Sequence, residues 1–137
     1  MPLYRLASGG YQFSDLPSLR GPLVPVSYVQ TLRRQADELR AAAPSGELFI
    51  MTKPAATYYL VSGLRNPTAY DYPTATDFGL TGEAELMRAI QDGGLPTVCL
   101  EDEATYEMPP PRLPAFIRAS MDPIGPAGPC MVYRRRS

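Results

Sequence analysis

The densest group of side chains that could bind a ligand lies in residues 58–72. An arginine there offers a rigid fork of hydrogen-bond donors, while asparagine and threonine favour local turn hydrogen bonds. The tyrosines combine a flat apolar face with a polar hydroxyl group. This combination suits an anionic ligand or a sugar. The candidate binding residues are Tyr58, Tyr59, Arg65, Asn66, Thr68, Tyr70 and Asp71.

A purely structural role is the favoured alternative for the same segment. Long loops need internal ties, and an ion pair between Arg65 and Asp71 could pin this one while the tyrosines pack beneath it. The sequence leaves both interpretations open.

Several kinds of catalytic and cofactor site are excluded by residues that the chain lacks. Its 137 residues include no histidine, which excludes a Ser-His-Asp triad, a histidine general base and a histidine metal site. Neither a G-x-G-x-x-G nor a G-x-x-x-x-G-K-[ST] loop occurs, so nucleotide binding by these loops is unsupported. We therefore expect no catalytic residue, cofactor or metal here, and no enzymatic activity from this chain alone.

The carboxyl ends of the predicted strands are a second candidate ligand site, because open α/β sheets bind ligands there. Ser27, Thr52, Lys53 and the acidic turn 101–103 lie at these ends. The three carboxylates could hold a divalent cation, but adjacent strand residues point to opposite faces of a sheet. A solvated acidic turn is the favoured interpretation.

Charge and hydropathy limit the partners of the chain. The net charge is -1, and the basic cluster 134–136 lies at the very end, so we expect no nucleic-acid partner. No apolar run reaches the length of about 18 residues that a membrane-spanning helix needs, and the N-terminus has no signal-peptide pattern. Cys99 and Cys130 each lie in an apolar run. Two separate buried core residues are the favoured interpretation, and a disulfide is the alternative.

The positions of these residues depend on strands that alternate with helices along the chain. Residues 1–20 predict an irregular lead-in, and residues 21–137 predict a single α/β domain. Ser27 and Gln30 form a capping box at the start of the first helix, and Thr81 is placed to cap a later one. We predict strands at 21–26, 47–51, 96–101 and 130–135, and helices at 27–43, 55–61, 81–92 and 114–120. The expected fold is a small, mostly parallel sheet of about four strands with helices packed on it, Rossmann-like but without a dinucleotide fingerprint.

Three segments of the chain resemble a known family. They are residues 46–50 (GELFI), 58–68 (YYLVSGLRNPT) and 70–73 (YDYP). Together they resemble the C-terminal soluble part of bacterial polytopic membrane glycosyltransferases, which are similar to the dolichyl-phosphate-mannose protein mannosyltransferases and the lipid A aminoarabinose transferases. The resemblance runs from about Gly21 to the end of the chain.

The resemblance implies an accessory role rather than catalysis. In that family the catalytic acidic residue and the site for the lipid-linked sugar donor belong to the transmembrane half, so no catalytic residue is carried onto this chain. The implied partners are the transmembrane part of the same parent protein and a lipid-linked sugar or acceptor. The implied location is the extracytoplasmic face of the bacterial inner membrane. The alternative function is a free-standing α/β binding or protein-interaction domain, located in the cytoplasm.

Overall fold

The computed structural model describes residues 11–14, 16, 21, 23–71, 73–102 and 104–137. Most of the predicted lead-in therefore lies outside the described residues. None of the described helices combines the length and the hydropathy that crossing a membrane requires. In chain order the elements are β1 (Tyr11–Phe13), β2 (Leu23–Pro25), α1 (Val26–Ala42), β3 (Phe49–Met51), α2 (Ala55–Ser62), α3 (Ala75–Asp92), β4 (Thr97–Glu101), α4 (Leu113–Ser120), β5 (Met121–Ala127) and β6 (Cys130–Arg135).

A four-stranded open sheet in the order β3-β4-β6-β5 forms the centre of the fold. It confirms the predicted α/β class and the expected number of strands. The predicted mostly parallel pairing is wrong in detail, because only β3 and β4 run parallel while β4-β6 and β5-β6 are antiparallel. Gly128, with a φ of 56° in the turn after β5, lets the chain fold straight back into β6 without a crossover.

Two strands differ from the sequence prediction. The strand near residues 21–26 does not join the main sheet, since β2 pairs with β1 in a separate two-stranded sheet. The edge strand β5 was not predicted, because Pro123, Gly125 and Pro126 are typical of loops. An edge strand tolerates proline, since one side of its backbone has no neighbouring strand to pair with. The β5-β6 register is irregular between Pro123 and Gly125.

Helices cover both faces of the sheet and divide the core into two layers. Phe49 and Met51 point towards α3 and α4, whereas Ile50 points towards α1 and α2, as the period of two in a strand requires. The predicted apolar stripe of the first helix is confirmed, since the buried residues of α1 are Val29, Leu32, Ala36 and Leu39. The fold therefore has three layers, helix, sheet and helix.

The helix starts depart from the capping predictions. The first helix begins at Val26 directly after β2, so Ser27 lies inside its first turn and caps nothing. The third helix begins at Ala75, where the Thr74 hydroxyl accepts a hydrogen bond from the Asp77 N–H at 3.4 Å. Gly79, with a φ of 60°, kinks this helix, and the helix predicted from Thr81 corresponds to the part after the kink.

A disulfide joins the two cysteines across adjacent strands. Cys99 in β4 and Cys130 in β6 have Cα atoms 5.5 Å apart, and both residues are buried on the α1/α2 face. The prediction of burial is confirmed, but the favoured interpretation of two separate residues is wrong. Antiparallel pairing of β4 with β6 brings the two together, and that pairing could not be foreseen from an expectation of parallel strands.

Candidate functional site

The predicted binding segment begins in α2 and continues into the chain that leads to α3. The helix predicted at 55–61 is confirmed, and it ends at Gly63 in the left-handed conformation, with a φ of 73°. Tyr72 lies outside the described residues. The side chains predicted to form one site have different roles: some support the sheet, some tie the loop to itself, some border a surface hollow, and Tyr58 packs in the core.

Tyr59 and Arg65 occupy the free edge of β3. The Tyr59 hydroxyl accepts a hydrogen bond from the Ile50 N–H at 2.9 Å and donates one to the Leu48 carbonyl at 2.8 Å. Burial raises the pKa of this hydroxyl, and the hydrogen bond from Ile50 opposes that rise. Arg65 adds a backbone bridge, because its carbonyl accepts from the Leu48 N–H at 3.2 Å. Together they satisfy backbone groups that would otherwise leave β3 open to pairing with another chain.

The predicted ion pair between Arg65 and Asp71 is not formed. The Arg65 guanidinium instead lies 2.8 Å from the Glu47 carboxylate, and both side chains are largely exposed. The backbone bridge explains why Arg65 pairs with Glu47, because it sets residue 65 alongside residue 47 in parallel register. Asp71 is exposed and borders the hollow described below.

Asn66 and Thr68 tie the loop to itself through the local turn hydrogen bonds that their residue types favour. The Asn66 amide donates to the Tyr70 carbonyl at 2.7 Å, and its oxygen accepts from the Thr68 hydroxyl at 2.8 Å. The Tyr70 ring packs edge-on against Phe78, with ring centroids 5.0 Å apart. A Cβ at Gly82 would lie 2.4 Å from the Tyr70 hydroxyl, so only glycine admits this packing.

Tyr58 lies apart from the rest of the predicted site. Its side chain is buried in the core layer between α1, α2 and the sheet. Burial raises the pKa of its hydroxyl, while a hydrogen bond with Gln35 of α1 lowers it. Tyr58 therefore belongs to the core and does not border the hollow.

A surface hollow of about 410 Å³ brings three of the seven predicted residues together. Its apolar part suits the ring face of a sugar, and its amide and carboxylate can hydrogen-bond to hydroxyl groups. Among the residues that the structure describes, no arginine or lysine lines it, so the geometry favours a neutral, hydroxyl-bearing ligand over the anionic ligand that Arg65 suggested. The lining residues are Ala56, Tyr59, Leu60, Leu64, Asn66 and Asp71.

The candidate residues at the strand ends lie in different environments. Lys53 forms an exposed ion pair with Glu107, and the Asp102 carboxylate accepts a hydrogen bond from the Ala104 N–H at 2.9 Å. Glu103 lies outside the described residues. In the part of the chain that the structure describes, no three residues of the His, Cys, Asp or Glu type come together as metal ligands do.

Glu83 is a buried charge that sequence reasoning missed. An acidic residue near the start of a helix is typical of the exposed surface, but the Glu83 side chain is only 1% exposed. It accepts a hydrogen bond from the Arg112 N–H at 2.6 Å and lies 3.3 Å from the Arg112 guanidinium. The signal was its helical spacing with the buried Leu86 and Ile90, which places all three on one face. Glu83 therefore holds the segment 109–112 (PPPR), which leads into α4, against α3.

Comparison with known proteins finds no match to this chain. No protein-family model matches it, and no curated protein or solved structure matches it significantly. The resemblance to membrane glycosyltransferases therefore depends on the sequence motif alone.

Proposed function

We propose that this chain is a non-catalytic accessory domain of a bacterial membrane glycosyltransferase and that it helps to position the acceptor. The observation that carries the proposal is the hollow of about 410 Å³ beside the motif residues Tyr59, Asn66 and Asp71. The resemblance supplies the family, and the chemistry of the hollow supplies the ligand class.

The lining of the hollow supports an acceptor rather than a lipid-linked phosphate. A phosphate group requires cationic or N–H donors, and the carboxylate of Asp71 would repel it. The nearest basic residue of the motif, Arg65, is paired with Glu47. A neutral sugar or another hydroxyl-bearing acceptor meets no such repulsion.

The disulfide supports an extracytoplasmic location. Disulfides persist in oxidising compartments such as the bacterial periplasm and are rare in the cytosol, where thiols are kept reduced. The Cys99–Cys130 bond is buried between two central strands, where a reductant has poor access. The cytoplasmic alternative would require this bond to survive a reducing environment.

Residue-resolved NMR titration tests ligand binding. Neutral methyl glycosides are added to the ¹⁵N-labelled chain, with inorganic phosphate as the anionic comparison. We expect saturable shifts of amides at 56–71 with at least one glycoside and none with phosphate. Asp71→Asn should weaken this binding by roughly tenfold. Asp92→Asn is the matched control, since Asp92 is exposed at the far end of α3 and should leave binding unchanged. If no glycoside shifts these amides, positioning of a sugar acceptor is ruled out.

The membrane association is tested on the parent gene and in the native host. The reading frame upstream of Met1 should encode several apolar helices, and the protein should cofractionate with membranes. An upstream frame without apolar helices would leave the second candidate function, a free-standing interaction domain.

A further inference from the structure

The fold gives the three arginines of the basic cluster 134–136 different surroundings. Arg136 forms an ion pair with a carboxylate of β5, 2.9 Å away. The Arg135 guanidinium packs against Gly93, where α3 ends. The Arg134 guanidinium makes no ion pair or hydrogen bond with any residue that the structure describes, and its side chain lines a surface hollow. One cation of the cluster is therefore available to a ligand.

The hollow that Arg134 lines lies between α1 and the edge strand β5, and we call it the α1–β5 hollow. It has a volume of about 500 Å³. Val132 of β6 packs on the α1 face of the sheet, and Arg134, two residues later, points to that same face. Apart from Gly125 and two charged residues, the lining is apolar and consists of Ala41, Ala42, Ile124, Pro126, Ala127 and Val132.

Glu38 of α1 is the second charged residue that lines the α1–β5 hollow. Its Oε2 atom accepts a hydrogen bond from the Gly128 N–H at 2.7 Å, and its Oε1 atom lies 3.7 Å from the Arg34 Nε. These contacts hold the carboxylate in place and leave it able to accept further hydrogen bonds, since a carboxylate has about four acceptor positions. The hollow therefore presents an anion and a cation that are not paired with each other.

We propose that the α1–β5 hollow binds a free α-amino acid with an aliphatic side chain. The Arg134 guanidinium is a planar fork of donors that suits the carboxylate of the ligand, and Glu38 accepts from its ammonium group. The apolar lining covers the aliphatic side chain. A simple anion would be repelled by Glu38 and a simple cation by Arg134, so a zwitterion fits best. This site lies outside the 56–71 hollow and goes beyond the proposed function.

NMR titration with L-leucine tests the proposal. We expect saturable shifts of amides at 38–42 and 124–134 in the ¹⁵N-labelled chain. Isocaproate lacks the ammonium group of leucine, isoamylamine lacks its carboxylate, and glycine lacks its side chain. Each of the first two should bind roughly fivefold more weakly than leucine, because each loses one exposed ion pair. Glycine should bind more weakly because it leaves the apolar lining uncovered.

Two variants assign the charged ends of the ligand to the two side chains. Arg134→Gln should weaken leucine binding roughly fivefold and should not weaken isoamylamine binding, since that probe has no carboxylate. Glu38→Gln should weaken leucine binding and should not weaken isocaproate binding, which involves no ammonium group. Arg88→Gln is the matched control, because Arg88 is exposed on α3 and does not line the hollow. Thermal melts verify that each variant is folded.

The proposal is wrong if leucine causes no saturable shifts at these amides, or if Arg134→Gln binds leucine as tightly as the native chain. Equal binding of leucine, isocaproate and isoamylamine would also overturn it, since the two charges would then have no role. Amides of the 56–71 hollow are followed in the same spectra. Failure here is therefore distinguishable from failure of the proposed function, which glycosides test at that other hollow.

Discussion

The substitution Tyr59→Phe gives the sharpest test of how the motif supports the fold. It removes one oxygen atom and keeps the aromatic ring, so that packing in α2 is preserved. The lost hydroxyl is the partner of the Ile50 N–H at 2.9 Å and of the Leu48 carbonyl at 2.8 Å. We expect a marked loss of stability from this small change, because both partners are backbone groups on the edge strand β3.

The magnitude follows from the two hydrogen bonds. Each contributes about 1 kcal/mol net, and a buried N–H left without a partner adds about 1–2 kcal/mol. The free energy of unfolding should therefore fall by about 3–4 kcal/mol. At about 4 °C per kcal/mol for a domain of this size, the midpoint of thermal unfolding should drop by roughly 12–16 °C.

The same hydroxyl has a signature at alkaline pH. Burial raises the pKa of Tyr59 above the ordinary tyrosine value of 10.0, so its neutral form stabilises the fold. This contribution is fully present below about pH 10 and is lost as the pH rises towards the folded-state pKa, at about 1.4 kcal/mol per pH unit. Tyr106 behaves in the same way because it is also buried. In the Tyr59→Phe variant the loss of stability at alkaline pH should therefore be smaller than in the native chain, because the contribution of Tyr106 remains but that of Tyr59 is gone.

Urea unfolding at pH 7 and between pH 9 and 11 measures both effects. Tyr28→Phe is the matched control, since Tyr28 is 46% exposed on α1 and its variant should behave like the native chain. If Tyr59→Phe is as stable as the native chain at pH 7, or loses stability equally fast above pH 10, the hydroxyl does not support β3 as described.

Three further predictions concern other contacts. Replacing Cys99 and Cys130 together with alanine should cost about 3–4 kcal/mol in urea unfolding, because their bond closes a loop with a sequence separation of 31; an equally stable double variant would contradict it. Glu83→Ala should cost about 2–3 kcal/mol by removing a buried acceptor, whereas Arg112→Ala should cost less, since that side chain is half exposed; equal losses in thermal melts would refute the asymmetry. Arg65→Ala should cost less than about 1 kcal/mol, because its ion pair is exposed; circular dichroism showing an unfolded variant would overturn this expectation.

Local patterns in the sequence were sufficient to predict most of the helices. The apolar spacing from Val29 to Leu39 predicts the buried face of α1, and Gly63 predicts the end of α2. Such features depend on neighbours within about one helical turn, so they can be read from the chain alone. The starts of α1 and α3 were harder to predict, because the competing caps Ser27 and Thr81 have the correct residue types.

Part of the candidate site could also be predicted. The ties made by Asn66 and Thr68 are local, and their residue types predict them. The partners of Tyr59 and Arg65 could not be foreseen, because they lie on β3, which precedes α2 in the chain and meets it only through the fold. The sequence indicated which residues are chemically capable, but not which of them border a hollow.

The sequence by itself determined the α/β class, the apolar faces of the helices and the absence of any histidine-based chemistry. These follow from composition and from periodicities of a few residues. Only the tertiary structure decided that Cys99 meets Cys130, that Glu83 is buried against Arg112, and that Arg65 pairs with Glu47 rather than Asp71. Each of those contacts joins residues about 18 or more positions apart, so the packing of distant elements, rather than local pattern, brings them together.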